Sequence, residues 1–148
     1  MKTYNNSLKQ FTLKKNNTEF KNVKIGNSKD GADFIRQFYS DDIEIYESFF
    51  ILLLNRANNT IGYAKISQGG CVGTVIDTKI IAKYAIESLA QGVILCHNHP
   101  SGNIQPSEED KAMTNKIKSV FDLFECQILD HVILTKDSYF SFADNNLV

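Results

Sequence analysis

The chain has 148 residues, of which 43% are hydrophobic and 22% charged, with a formal net charge of -1 and only two prolines. That length buries about 70% of the unfolded surface in a single domain, so neither a disulfide nor a metal is needed merely to fold it. A charge so near zero gives no global attraction to nucleic acid or to an anionic membrane.

Cys71, Cys96 and Cys126 form no C-x-x-C pair and are odd in number, which suits buried thiols in a reducing compartment. The N-terminus lacks the apolar core of a signal peptide, and no apolar run approaches the ~18 residues of a membrane span. A cytoplasmic protein without membrane contact is expected.

Met1 to Lys24 carries six lysines against the single acid Glu19. We read it as a solvated extension with one edge strand at Phe11-Thr12-Leu13; the rival reading, a basic arm on nucleic acid, has only this local imbalance behind it. The globular domain is expected over residues 25–148. Ser28 reads as the N-cap of a helix from Lys29 to Tyr39, with Phe34, Ile35, Phe38 and Tyr39 on one face. Phe49-Phe50-Ile51-Leu52-Leu53-Leu54 has the uninterrupted apolar character of a strand buried on both sides. Asn55-Arg56-Ala57-Asn58-Asn59 is turn-like, and Ile61 to Ile66 returns as the second arm of a hairpin. Gly69-Gly70 punctuates before Cys71 to Ile76. From Thr78 to Gln91 apolar residues recur at helical spacing, and Gly92 stands where a helix C-terminus favours a left-handed residue.

Val93-Ile94-Leu95-Cys96 is a short buried strand that runs directly into His97-Asn98-His99-Pro100. Side chains two apart on a strand share a face, so His97 and His99 present two imidazoles together while Cys96 and Asn98 face the other way. A helix follows from about Ser107 to Phe124, marked by Met113, Ile117, Val120, Phe121 and Phe124. Asp110 lies in its first turn, within reach of the histidines once the Pro/Gly loop folds back. Two histidines and one carboxylate on Zn²⁺ leave a fourth position for water, the layout of a catalytic site. The same donor types serve Fe(II) oxygenases, which need an open octahedral site; as a capped helix and a polar loop, the residues need no function at all. Residues 127–135 and 139–143 then close the fold as strands joined by Lys136-Asp137-Ser138. The whole predicts one α+β (α/β) domain with a mixed, mainly antiparallel sheet flanked by helices.

His97-Asn98-His99-Pro100, six further residues and Ser107-Glu108-Glu109-Asp110 resemble the JAMM/MPN+ metalloprotease signature, an upstream Glu followed by His-x-His-Pro, six residues and Ser-x-x-Asp. Asn between the histidines and Ser-Gly after the proline are similar to its RadC branch, as is Leu129-Asp130-His131. The resemblance covers residues 25–145 to within a few positions. It implies a JAB/MPN, cytidine-deaminase-like fold with one catalytic zinc on His97, His99 and Asp110, and places His131 as a packing or supporting residue and not a ligand. Tyr46-Glu47-Ser48-Phe49 is similar to the family's Glu-bearing entry to its central strand and nominates Glu47 as the general base. Glu44 is the rival, three residues away and on the other side if the chain there is extended. Longer RadC proteins carry an N-terminal helix-hairpin-helix portion for which a chain of this length has no room, so a DNA role attached to that portion is not expected here.

The chemistry implied is hydrolysis of a peptide or isopeptide-like amide. Zinc brings the pKa of its water toward ~7, Glu47 moves the proton, and Ser107 donates to the oxyanion, a bond typically worth ~2.7–4 kcal/mol. A DNA repair or mobile-element accessory factor and a non-catalytic MPN scaffold are the alternatives; the full ligand set speaks against the scaffold. The physiological substrate and the oligomeric state are not legible.

Overall fold

The computed structural model describes residues 8–69 and 75–148, so Cys71 and the start of the N-terminal extension lie outside the described residues. The elements follow as α1 (Ser28–Arg36), a 3₁₀ turn (Asp41–Glu44), β1 (Ser48–Leu54), β2 (Thr60–Gln68), α2 (Thr78–Glu87), β3 (Gly92–Asn98), α3 (Glu108–Asp122), β4 (Gln127–Leu134) and β5 (Tyr139–Ser141). The strands form one open sheet in the order β2-β1-β3-β4-β5. Only β3 and β4 run parallel, joined by a crossover through α3, while the other neighbours are antiparallel. This is the expected α+β domain with a mixed, mainly antiparallel sheet.

The central strands explain the apolar runs. β1 and β3 are buried along their full length, because helices cover both faces of the sheet. On one face Ala32 and Ile35 of α1 pack with Leu52, Leu54, Ile94, Cys96, Val132 and Leu134. On the other, Ile81 and Ala85 of α2 and Ile117 and Phe121 of α3 pack with Phe49, Ile51, Leu53, Val93 and Leu95. At roughly 1.5–3 kcal/mol for each large apolar side chain buried, these two clusters are the main favourable contribution to folding.

Several local expectations are corrected. The N-cap of α1 is Asn27, whose side chain accepts from the Asp30 N–H at 2.9 Å; Ser28 instead donates to Asp144 at 2.6 Å and ties the helix to the C-terminal turn. The helix stops at Arg36, short of Tyr39, and the Arg36 guanidinium donates to the carbonyls of Thr135, Lys136 and Ser138 around the β4–β5 turn. α2 ends at Glu87, not Gln91, because Leu89, 83% exposed, takes the left-handed conformation at φ 55°. Residues 11–13 form no strand; the extension meets the sheet through Phe20, whose ring lies 5.7 Å from that of Tyr63 in β2, through Val23, whose carbonyl accepts the Thr60 N–H at 2.8 Å, and through the bridge Lys24↔Asn59. β5 ends at Ser141, two residues before the expected end.

Gly92 belongs to β3 and serves another purpose. Val93 pairs with Ile128 but Ile94 pairs with Asp130, so Leu129 is an extra residue in β4. Such a bulge slips the pairing by one and exchanges the faces of every residue that follows. His131 thereby comes opposite Leu95, on the face of His97, and Asp130 turns to the α1 face. A Cβ at position 92 would stand 2.7 Å from Cδ1 of Leu129, so the missing side chain makes room for the bulge.

Candidate metal centre

β3 delivers His97, and the main chain carries its direction one residue further, since the His99 N–H donates to the Leu134 carbonyl at 2.9 Å. The chain then turns. Gly102 donates to the His99 carbonyl at 3.1 Å and sits at φ +83°, a conformation that favours glycine. His99 Nδ1 donates to the Asn103 carbonyl at 2.6 Å, which leaves Nε2 aimed inward. Asp110 arrives from the N-terminus of α3, held by a capping box: its Oδ2 accepts the Ser107 N–H at 2.7 Å and its own N–H donates to Ser107 Oγ at 3.1 Å.

These devices bring three donors to one point. The two Nε2 atoms are 3.0 Å apart, Asp110 Oδ1 is 3.2 Å from His97 Nε2, and Asp110 Oδ2 is 3.6 Å from His99 Nε2. One ligand atom from each residue falls within 4.8 Å of the others. His97 is fully buried, whereas the side chains of His99 and Asp110 keep 18% and 11% of their surface, so the group is open on one side. Partial burial works against the charge of Asp110, but its closeness to the ring nitrogens of His97 and His99 outweighs it and holds the carboxyl well below the usual carboxylate range. The bond to Asp110 raises His99. Burial drives His131 well below the ordinary histidine value, with His97 adding to the effect.

Asn98, between the histidines, faces away from them and anchors the approach to β1. Its Oδ1 accepts the Ser48 N–H at 2.7 Å, and its Nδ2 donates to the carbonyls of Ile43 and Tyr46 at 2.7 and 3.0 Å. Glu47 lies in the segment so held. Phe49 pairs with His97, and continuing that antiparallel register by two residues sets Glu47 across from His99. Glu47 borders a hollow of about 270 Å³ shared with Phe49, Ile76, Thr78, Glu109, Asp110, Met113 and Lys116. Glu44 is elsewhere: the chain around it is a 3₁₀ turn and not extended, and its carboxylate pairs with Lys136 at 3.1 Å. Ser107 Oγ accepts from Asp110, which leaves its proton for another partner. Ser101 accepts from the Asn103 N–H at 3.4 Å and only shapes the loop.

Residues that carried no assigned chemistry complete the surroundings. His131 Nε2 is 2.8 Å from His97 Nδ1, and its Nδ1 is 2.7 Å from Thr114 Oγ1. The signal for Thr114 was present, a hydroxyl one helical turn after Asp110 on the same face, but nothing local says what it meets. Asp130 accepts from the His131 N–H, the Ala143 N–H and the Ser141 hydroxyl, and so fastens β4 to the C-terminal turn. Cys96 and Cys126 are free, and burial raises both thiols, which makes them inert.

Two imidazole nitrogens and a carboxylate converging without a thiolate suit a divalent transition metal such as zinc or iron, so the residues fit the group. Comparison with known proteins gives the family. The model of the RadC-like JAB domain matches residues 25–147. The chain belongs to the RadC-like JAB domain family. A UPF0758 protein of Flavobacterium johnsoniae is 40% identical over 124 residues, covering 84% of this chain and 53% of the relative. One from Coprothermobacter proteolyticus is 37% identical over 134 residues, 89% and 57% of the two chains. A third, from Chlorobaculum parvum, is 36% identical over 127 residues, 86% and 56%. This RadC-like chain thus spans little more than half the length of the relatives it matches. No helix among its described residues is long and apolar enough to cross a membrane.

Proposed function

We propose that this RadC-like JAB domain is a zinc-dependent hydrolase of peptide or isopeptide-like amide bonds. The observation that carries the reading is the convergence of His97, His99 and Asp110, open on one side and beside a hollow that Glu47 borders. Zinc bound to those three residues would supply a Lewis acid and a water acidic enough to attack near neutral pH. Glu47 takes a proton from the attacking water and returns it to the leaving amine. Ser107, free to donate, stabilises the oxyanion that forms on the substrate carbonyl. Ile76 and Met113 offer apolar surface to a peptide or protein substrate, with Glu109 and Lys116 as its polar partners. The free thiols of Cys96 and Cys126 support a cytoplasmic setting.

The test is a cleavage screen of peptide and isopeptide libraries with zinc-loaded protein. Glu47→Gln should keep its zinc and lose roughly 10²–10⁴ in rate, while Glu44→Gln should cleave like wild type. Full activity in Glu47→Gln would move the base elsewhere, and no cleavage of any amide by the zinc-loaded wild type would overturn the reading.

A further inference from the structure

Thr114, His131 and His97 form a chain of hydrogen bonds whose direction can be derived. Thr114 Oγ1 is 2.6 Å from the Asp110 main-chain carbonyl, which can only accept, so the hydroxyl proton is committed there. Toward His131 Nδ1, at 2.7 Å, the same oxygen has only a lone pair to offer, and Nδ1 must carry the hydrogen. His131 is fully buried against the rings of Phe49 and Phe142, and its two nitrogens meet a hydroxyl and another imidazole. A charged imidazolium is costly in such a place. A neutral ring with its hydrogen on Nδ1 presents a bare Nε2. His97 Nδ1, 2.8 Å away, therefore donates to it, and the hydrogen of His97 is kept off Nε2.

We propose that Thr114 and His131 are positioning residues that set the tautomer of His97 and so present its Nε2 lone pair to the metal. The proposal rests on the metal-centre reading above. Asp110 closes the arrangement: its carboxylate joins the two imidazoles in the ligand group while its main-chain carbonyl ends the relay. His99 is set separately, by the Asn103 carbonyl within its own loop. Without the Thr114 hydroxyl, His131 can carry its hydrogen on Nε2 and donate to His97 Nδ1. His97 would then hold its hydrogen on Nε2, pointed at Asp110 and His99, where it competes with the metal.

Two readouts on the full chain test this: histidine nitrogen NMR of the metal-free protein, which reports each tautomer, and zinc affinity by competition with a chromophoric chelator. Wild type should show hydrogen on Nδ1 of both His97 and His131. Thr114→Val should shift His97 toward the Nε2–H form and weaken zinc binding roughly 10–100-fold, the usual cost of losing support behind a ligand. Thr114→Ser should restore both. A wild-type His97 already in the Nε2–H form would overturn the relay without any variant. So would a Thr114→Val protein with unchanged tautomer, whether its zinc affinity held or fell along with its stability. Failure of wild type to bind zinc at all would instead sink the metal-centre reading.

Discussion

The end of β3 sends polar side chains to both faces of the sheet, and the two faces treat them differently. On the α1 side Asn98 spends its amide on Ser48, Ile43 and Tyr46. On the α3 side His97, His99 and Asp110 are each anchored at the back, yet at the front they point at one another. A buried polar group with every partner in place is architecture. Donor atoms converging on a single point could hold a cation between them, which is what sets a candidate site apart.

The largest effect that would break this contrast is on the architectural side. Asn98→Ala strands the buried Ser48 N–H and Ile43 carbonyl together with the half-buried Tyr46 carbonyl, and a buried orphan costs ~1–3 kcal/mol. Urea melts of the metal-free protein should show a loss of roughly 3 kcal/mol or more. A loss under ~1 kcal/mol would mean that the anchor is dispensable and the two faces less distinct than argued.

Ser107→Ala sharpens the comparison, because Ser107 caps α3 and, in the proposed mechanism, also donates to the oxyanion. Its loss as a cap should cost ~1 kcal/mol of stability, while zinc is retained and the rate on a cleavable amide falls by ~10²–10³. Stability loss with full rate would leave it a cap only. The smallest effect is expected from deleting Met1 to Lys24: zinc content should hold. Should the intact chain bind duplex DNA through its lysines, affinity should drop steeply with salt and disappear with the deletion. Salt-independent binding, or binding that survives the deletion, would remove the basic-arm reading.

What was legible followed from short periods. Alternation along β3 places His97 and His99 together, and the spacing of Ser107 and Asp110 marks a helix start. The rest depends on partners far away in the chain. Asn98 bonds to segments about fifty residues earlier, so its letter between two histidines says nothing of its task. His131 reaches the site only because Leu129 is bulged out, and a slip of one residue is invisible without the neighbouring strand. Gly92 was legible as a glycine with a purpose, but the purpose, room for Leu129, lies across the sheet. Likewise the left-handed residue after α2 is Leu89, where propensity alone favours the glycine. Glu44 and Glu47 could not be separated by strand alternation, because the chain between them leaves a 3₁₀ turn.

The central claim is that His97, His99 and Asp110 hold one zinc ion. Elemental analysis of protein purified without chelator tests it most directly, with His99→Ala and Asp110→Asn alongside, the latter keeping an acceptor for the Ser107 N–H. The account predicts about one equivalent of zinc per chain in wild type and nearly none in either variant, with circular dichroism unchanged. Undiminished zinc in both variants, or iron in its place in wild type, would contradict it.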